Sequence, residues 1–471
     1  MSAPSAIAPF TGVPALLDDL RREAPEIEVR ESSSETAVFA FDAGTAPRRG
    51  GPALDGPTVA FPATVGDVQQ LVRLAARHGV SVVPRGAGTG LSGGATAQPD
   101  QLVISTDRLD RIVEVSPADE VAVVEPGVLN AALNERLAPL GLFYAPDPAS
   151  WRISTIGGNI ATNAGGLRCA KYGVTRESVL ALDVVLADGS LVSVGHRSIK
   201  GVTGLDLVSL FVGSEGVLGI VVGATVRIRP LPVARRTLTA FFDSTDAGAA
   251  AIGAITASRV RPSVIEFLDE ITLDGIDAAQ GSGLSARGAA LLLIELDGFG
   301  IDEQTAELTT ALVAAGARVE VENDADAEVL WELRRSGRRF DAGSWFAGGD
   351  VAVPKSRIAE LFAGFPAIAA RFGVSVSAVA HAGDGNLHPV ISLPIPAGAD
   401  PAVVPPAVHD ASDAVVRAAL AVGGTVSGEH GIGTVKRALA AEELTVRVRE
   451  AQLAVKNALD PAGLFNPGKA L

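Results

Sequence analysis

The sequence predicts an α+β protein of more than one domain, and three observations carry the prediction. A chain of 471 residues is too long for one ordinary core. A hydrophobic fraction of 47% with 20% charged residues belongs to a folded, globular chain. From about residue 233 to 425, strand-like runs alternate with amphipathic helices, the pattern of an antiparallel sheet with helices on one face.

Taken in order, residues 1–55 are rich in Pro, Gly and Ala and read as an irregular arm with one short amphipathic helix at PALLDDLRREAP. A first domain over 56–232 opens with TVGDVQQLVRLAARHG, which carries the marks of a helix: Thr64 as N-cap, Asp67 three residues on, apolar Val68, Leu71, Val72 and Ala75, and Gly79 as the stop. VSVVPRGAGTGLSGG reads as a strand running into a glycine loop. IVEVS, VAVVEPG and LALDVVLADGSLVSV are β-type runs, the last with Asp188 and Gly189 placed as a tight hairpin turn. A proline pair after VGSEGVLGIVVGATVRIRPLP marks a boundary near residue 232. The second domain, 233–425, holds the strand-like TLTAFF, VIEFLD, ALLLIEL, ARVEVE and VSVSAVA, with helices at DEQTAELTTALVAAG and PKSRIAELFAGFPAIAARFG. Residues 426–471 end in one helix and a Pro/Gly tail expected to return to the first domain.

Charge and cysteine usage exclude several functions. A net charge of −15 argues against nucleic acid as a partner, because phosphate binding needs clustered Lys and Arg. The single cysteine, Cys169, allows no internal disulfide and no iron–sulfur cluster held by this chain's own thiolates. MSAPSAIAPF lacks the basic and apolar regions of a signal peptide, and no apolar run reaches about 18 residues. The expectation is a cytoplasmic protein, with peripheral contact at the inner face of the membrane left open.

Two small-residue segments suggest a phosphate-bearing cofactor. PRGAGTGLSGG, residues 84–94, offers consecutive backbone N–H groups free of side chains, a nest for anionic oxygens. A Rossmann loop would pass straight into a helix, whereas ATAQPDQLVIST reads as turn then strand. STIGGNIATNAGG, residues 154–166, adds donors together with Asn159, Thr162 and Asn163, and GSEGVLGI at 213–220 makes a third segment.

These segments, together with HAGDGNLH at 381–388, GEHGIG at 428–433 and NPGK at 466–469, resemble the D-2-hydroxyacid dehydrogenase branch of the vanillyl-alcohol-oxidase/cresol-methylhydroxylase flavoprotein superfamily. The branch includes D-lactate dehydrogenases, the flavin subunit of glycolate oxidase and D-2-hydroxyglutarate dehydrogenases. The resemblance runs from about residue 55 nearly to the end. It implies a two-subdomain FAD-binding domain of the cresol-methylhydroxylase type, an antiparallel-sheet substrate domain and a C-terminal helical segment. It also implies FAD on the loop Arg85, Gly86, Ala87, Gly88, Thr89, Gly90, with further contacts from Ser92, Pro146, Gly158, Thr162, Gly165, Glu215, Gly216, Ile220 and Asn466. Some superfamily members tether flavin through a histidine in the first glycine loop. This loop has Thr89 and no histidine, so FAD is expected without a covalent link, and Cys169 is read as a small packed residue.

Three of the six histidines fall in HAGDGNLH and GEHG. His381 ends one β-type run and His388 begins another, so the turn between them can bring both imidazoles to one end of a hairpin. Two neutral imidazoles and a carboxylate suit a divalent ion such as zinc or manganese, and Glu429 supplies the carboxylate in the family pattern. Neighbouring side chains of an extended segment point to opposite sides, which predicts Glu429 toward the metal and His430 toward the substrate from another direction. His78, His196 and His409 are read as structural.

The implied chemistry is oxidation of a 2-hydroxy acid, with His430 as base, Asn386 orienting substrate or metal water, and hydride passing to flavin N5. For the substrate carboxylate, WELRRSGRRF offers Arg334 and Arg338, four apart and so on one helical face; relatives use an arginine near Arg334. Hydroxyglutarate relatives carry a lysine shortly before DVAVP, where this chain has Gly348, which favours D-lactate, glycolate or a longer monocarboxylate. Trp345 and Phe346 read first as buried packing, with an apolar pocket or a membrane-facing tip as alternatives. The electron acceptor stays open among a quinone, a cytochrome, an electron-transfer flavoprotein and an iron–sulfur subunit, and a homodimer stays open too. The competing readings are D-2-hydroxyglutarate dehydrogenation, an oxygen-using 2-hydroxyacid oxidase, and a non-catalytic flavoprotein subunit.

Overall fold

The structure is a computed structural model and describes residues 12–47, 55–336 and 343–471. Helix Val65–His78 forms as its sequence dictates: Thr64 and Asp67 exchange capping bonds, and Gly79, at φ +62°, ends it. Its buried Val68, Leu71, Val72 and Ala75 pack with Leu16 and Leu20 of helix Val13–Glu23. Parallel strands Thr58–Phe61, Leu102–Ser105 and Val82–Arg85 lie beside them, and Glu28–Arg30 joins the edge antiparallel to Thr58–Phe61. Within the described residues 12–47, helix Val13–Glu23 and strand Glu28–Arg30 are therefore part of this first core and not of an irregular arm. The apolar Leu16, Leu20, Ala24 and Ile27 are buried there.

A second, antiparallel sheet follows in the order Ile112–Ser116, Val121–Val124, Ile220–Arg227, Val179–Val185, Leu191–Gly195. Gly189, at φ +77°, turns the Val185/Leu191 hairpin. Helix Ile156–Thr162, inside the second small-residue segment, buries Ile156 and Ile160 in the same core as this sheet.

From Arg235 the chain builds a large sheet in the order Arg318–Val321, Arg235–Phe242, Ala290–Asp297, Val264–Leu268, Ser375–His381, Asn386–Pro394, Ser344–Gly348, with every pairing antiparallel. Helices cover both faces, where the sequence pattern predicts one. Thr245–Ala257, Ile301–Ala314, Ile358–Phe372 and Pro406–Ala421 pack against residues such as Ile265, Phe267, Leu292 and Ile294. Glu270–Gln280 and Asp324–Ser336 pack Leu273, Ile276, Leu330 and Trp331 against Val264, Leu268, Leu291 and Leu293 on the other. The reason is that every residue of Val264–Leu268 is buried, as in a strand covered on both sides.

The C-terminal tail returns to the first sheet. Val82 donates to the Leu464 carbonyl and accepts from the Asn466 N–H, with Phe465 fully buried. Among the described residues no helix is long and apolar enough to cross a membrane.

Candidate active site

Strands Ser375–His381 and Asn386–Pro394 form the hairpin that HAGDGNLH closes. The register sets His381 opposite Asn386 and Val379 opposite His388, so the two histidines are diagonal neighbours on one face. Their Nε2 atoms are 3.1 Å apart. Glu429 Oε1 lies 3.1 Å from His388 Nε2 and 3.6 Å from His381 Nε2. The three ligand atoms fall within 4.8 Å of one another. Two imidazoles and a carboxylate converging in this way fit a divalent transition-metal ion. The Asn386 side-chain oxygen next to them is buried without a hydrogen-bond partner, an open acceptor beside such a site.

His430 departs from its expected direction. It stacks on His388 with ring centroids 5.1 Å apart at 12°, and its Nε2 is 4.0 Å from Glu429 Oε1, so both side chains of the Glu429–His430 pair meet the same cluster. The segment is bent, not extended. Asp350 accounts for the bend: its buried carboxylate accepts from the backbone N–H groups of Gly428, Glu429 and His430, the Ser427 hydroxyl and the Lys436 ammonium. Burial alone would raise the Asp350 carboxyl, but Lys436, His430 and His388 outweigh it and hold it below the ordinary range.

Burial likewise opposes charge on His381, yet the Glu266 carboxylate holds this imidazole well above its usual value. Glu429 is held well below its own by His381 and His388 against the cost of burial. His388 is pushed down by burial and so presents a neutral ring. Cys169 is packed, as expected, and burial raises its thiol far above the usual range.

A cavity of about 450 Å³ runs from the first glycine loop past Ile156–Thr162 and the 214–221 segment to Glu429 and His430. Arg85, Gly86, Ala87, Gly88, Thr89, Gly90, Ser92, Gly158, Thr162, Gly165, Glu215, Gly216 and Ile220 all line it. Asn159 lines it too, and its buried amide nitrogen has no partner within the protein. Backbone donors, small residues and this open amide suit an extended phosphate-bearing cofactor. The Arg85 guanidinium turns away from solvent and donates to the Phe41 and Ala95 carbonyls; a Cβ on Gly88, at φ +70°, would lie 2.0 Å from it. A Cβ on Gly165 would lie 2.3 Å from Glu429 Oε2, so glycine lets this backbone approach the cluster without displacing that carboxylate. Two predicted contacts do not line the cavity. The Pro146 carbonyl accepts from Asn130, and Asn466 donates to the carbonyls of Gly94 and Glu215.

The loops are bonded to one another. The Ser92 hydroxyl donates to the Gly431 carbonyl, and Glu215, raised by burial, accepts from the N–H groups of Ile432 and Gly433. Arg334 lies on helix Asp324–Ser336, paired with Glu266 and with its side chain 12% exposed, while Arg338 lies outside the described residues. Trp345 is buried and Gly348 is exposed. Of the three histidines read as structural, His78 pairs with Asp19 and His196 contacts the Ser198 carbonyl.

Sequence reasoning missed Asp350, Lys436 and Glu266. Asp350 opens the DVAVP segment, but only the fold carries it beneath GEHG.

The family "FAD binding domain" matches residues 57–195, and "FAD linked oxidases, C-terminal domain" matches residues 231–470. The chain belongs to the FAD-linked oxidases. Its relatives include the glycolate oxidase subunit GlcD of Bacillus subtilis, 38% identical over 87% of this chain and 88% of that protein. The GlcD of Escherichia coli K12 is 33% identical over 97% and 90%, and a D-lactate dehydrogenase of Archaeoglobus fulgidus is 31% identical over 88% and 91%. In fold, this FAD-linked oxidase matches p-cresol methylhydroxylase with a TM-score of 0.76 at 16% identity, over 99% of this chain and 98% of that one. It is thus an FAD-binding oxidoreductase.

Proposed function

We propose that this FAD-linked oxidase converts a D-2-hydroxy acid, such as D-lactate, glycolate or a related monocarboxylate, to the 2-oxo acid. The observation that carries the reading is the convergence of His381, His388, Glu429 and His430 where the cavity lined by the glycine segments ends. Relatives named for glycolate and D-lactate support the substrate class. Bound FAD would supply a hydride acceptor and a bound zinc or manganese ion Lewis acidity at the substrate hydroxyl.

His381, His388 and Glu429 would hold the ion, and the segments around Gly86–Gly90 and Gly158–Gly165 would hold FAD without a covalent link. The His430 imidazole takes the hydroxyl proton as the C2–H bond breaks with its electron pair. Asn386 orients the hydroxyl through its open side-chain oxygen. Arg334 would take the substrate carboxylate, and with Gly348 where hydroxyglutarate relatives carry a lysine, a second carboxylate would lack one of its usual partners. Electrons then pass to a separate acceptor, in keeping with relatives described as subunits.

The test is anaerobic mixing of the FAD- and metal-loaded protein with D-lactate, glycolate, D-2-hydroxyglutarate and L-lactate, following loss of oxidised-flavin absorbance. Rapid loss with a D-monocarboxylate or glycolate is expected. No loss with any of the four would sink the hydroxy-acid reading.

A further inference from the structure

Glu266 is an acid in the middle of an apolar strand, VIEFL, and it is fully buried. A buried carboxylate needs partners for both oxygens, and Glu266 finds them in two different parts of the site. Antiparallel pairing of Val264–Leu268 with Ser375–His381 sets Glu266 directly opposite His381. Glu266 Oε1 lies 2.6 Å from His381 Nδ1. Its other oxygen, Oε2, accepts from Arg334 Nε at 2.5 Å and also from the Arg334 Nη2. Arg334 reaches it from helix Asp324–Ser336, which covers the face of the sheet toward which Val264, Glu266 and Leu268 point.

The two contacts do different things. A ring whose Nδ1–H is held by a carboxylate has its plane fixed and turns Nε2 toward a metal, whose binding displaces the Nε2 proton, and His381 Nε2 is the atom that faces His388 and Glu429. The two-pronged contact with Arg334 fixes the plane of the guanidinium.

We propose that Glu266 is a positioning residue that couples the two halves of the site. One oxygen sets His381 as a metal ligand and the other sets Arg334 as the cation for the substrate carboxylate. The inference rests on the ligand set and on the role of Arg334 proposed above.

The experiment uses full-length, FAD-loaded protein and two readouts: Zn²⁺ affinity by chelator competition, and the hydroxy-acid concentration that half-saturates flavin reduction. Glu266→Gln keeps the shape and removes the charge. Its Zn²⁺ affinity is expected to fall about 10- to 100-fold, with FAD content and circular dichroism unchanged. Half-saturation should rise as well at saturating Zn²⁺. Arg334→Met leaves Glu266 to His381 and should raise half-saturation while Zn²⁺ affinity stays parental. Parental Zn²⁺ affinity in Glu266→Gln would overturn the inference. So would an equal loss in both variants, which would mean that the pair only supports the fold, or an unchanged half-saturation in Arg334→Met. Should the Gln variant not fold, Glu266→Asp is read in the same way, since its shorter reach must also weaken Zn²⁺ binding. If no acid reduces the parent's flavin, the hydroxy-acid reading falls while the zinc comparison still judges Glu266. A parent that binds no Zn²⁺ would overturn the ligand set and this inference together.

Discussion

His430 carries the sharpest single-residue consequence. It lies against His388 and lines the cavity, but it belongs to neither glycine segment. Its loss should leave FAD bound while the proton transfer disappears. His430→Ala is expected to keep its flavin spectrum and to slow flavin reduction about 10²- to 10⁴-fold in single-turnover mixing. Gly165 gives a second test, because a methyl group there would press on Glu429 from the flavin side. Gly165→Ala should fold normally yet slow flavin reduction on the order of 10²-fold, the effect of roughly 1 Å misplacement at a reacting centre. Parental rates in that variant would mean that Glu429 has room to move. At this scale the sequence is informative wherever rare residues cluster: His381, His388 and His430 stand out in a chain with six histidines, and Glu429 is legible because it sits beside one of them between glycines. Glu266 and Asp350 do not, since each is one acid among 54 and only strand register or loop closure brings it to the histidines.

At the scale of elements, periodicity and caps decide what can be read. Helix Val65–His78 and the Asp188–Gly189 turn follow from local chemistry alone, and the structure forms them. Coverage of the large sheet on its second face leaves a fainter trace, the apolar runs of VIEFL and ALLLIEL, each interrupted by a single glutamate. The bend at Glu429 is not local at all, because Asp350 imposes it from 79 residues away. Helix Glu270–Gln280 on the second face has its own lock. The Asp277 carboxylate accepts from the Leu284 and Ser285 N–H groups and from the Ser282 and Ser285 hydroxyls, tying the turn after the helix back onto it. Burial alone would raise this carboxyl, but those bonds hold it at about 2, below the ordinary 3.8. A depressed folded value means that the stabilisation is present above the unfolded value and is lost as pH falls through the folded one. Asp277→Asn should therefore be less stable than the parent by about 1–2 kcal/mol at neutral pH in urea titrations. The gap should close as pH drops from about 3.8 to about 2. A gap independent of pH would assign the loss to packing instead of charge.

At the scale of the whole molecule, the site depends on segments far apart in the chain. Ser92 and Glu215, from the first domain, hold the loop that carries Glu429 and His430, and the tail then closes over the same loops. The Asn466 amide donates to the Gly94 and Glu215 carbonyls, its backbone N–H donates to the Val82 carbonyl, and the Lys469 ammonium reaches the Gly94 and Thr96 carbonyls. The sequence shows NPGK as a motif and a returning tail. It cannot show that Asn466 works by joining the glycine loop to the 213–220 segment, because that depends on how three distant stretches meet. Asn466 adopts φ +43°, a left-handed conformation that asparagine tolerates better than alanine. Asn466→Ala thus removes three bonds, the two amide donations and the one its side-chain oxygen accepts from Lys469, and adds backbone strain at one point. The loss should be about 1–3 kcal/mol of stability. Because the bonds link the two segments that line the cofactor cavity, the variant should also release FAD faster on dilution. Parental FAD retention together with reduced thermal stability would confine Asn466 to holding the tail, whereas loss of both would make the tail part of the cofactor's cradle.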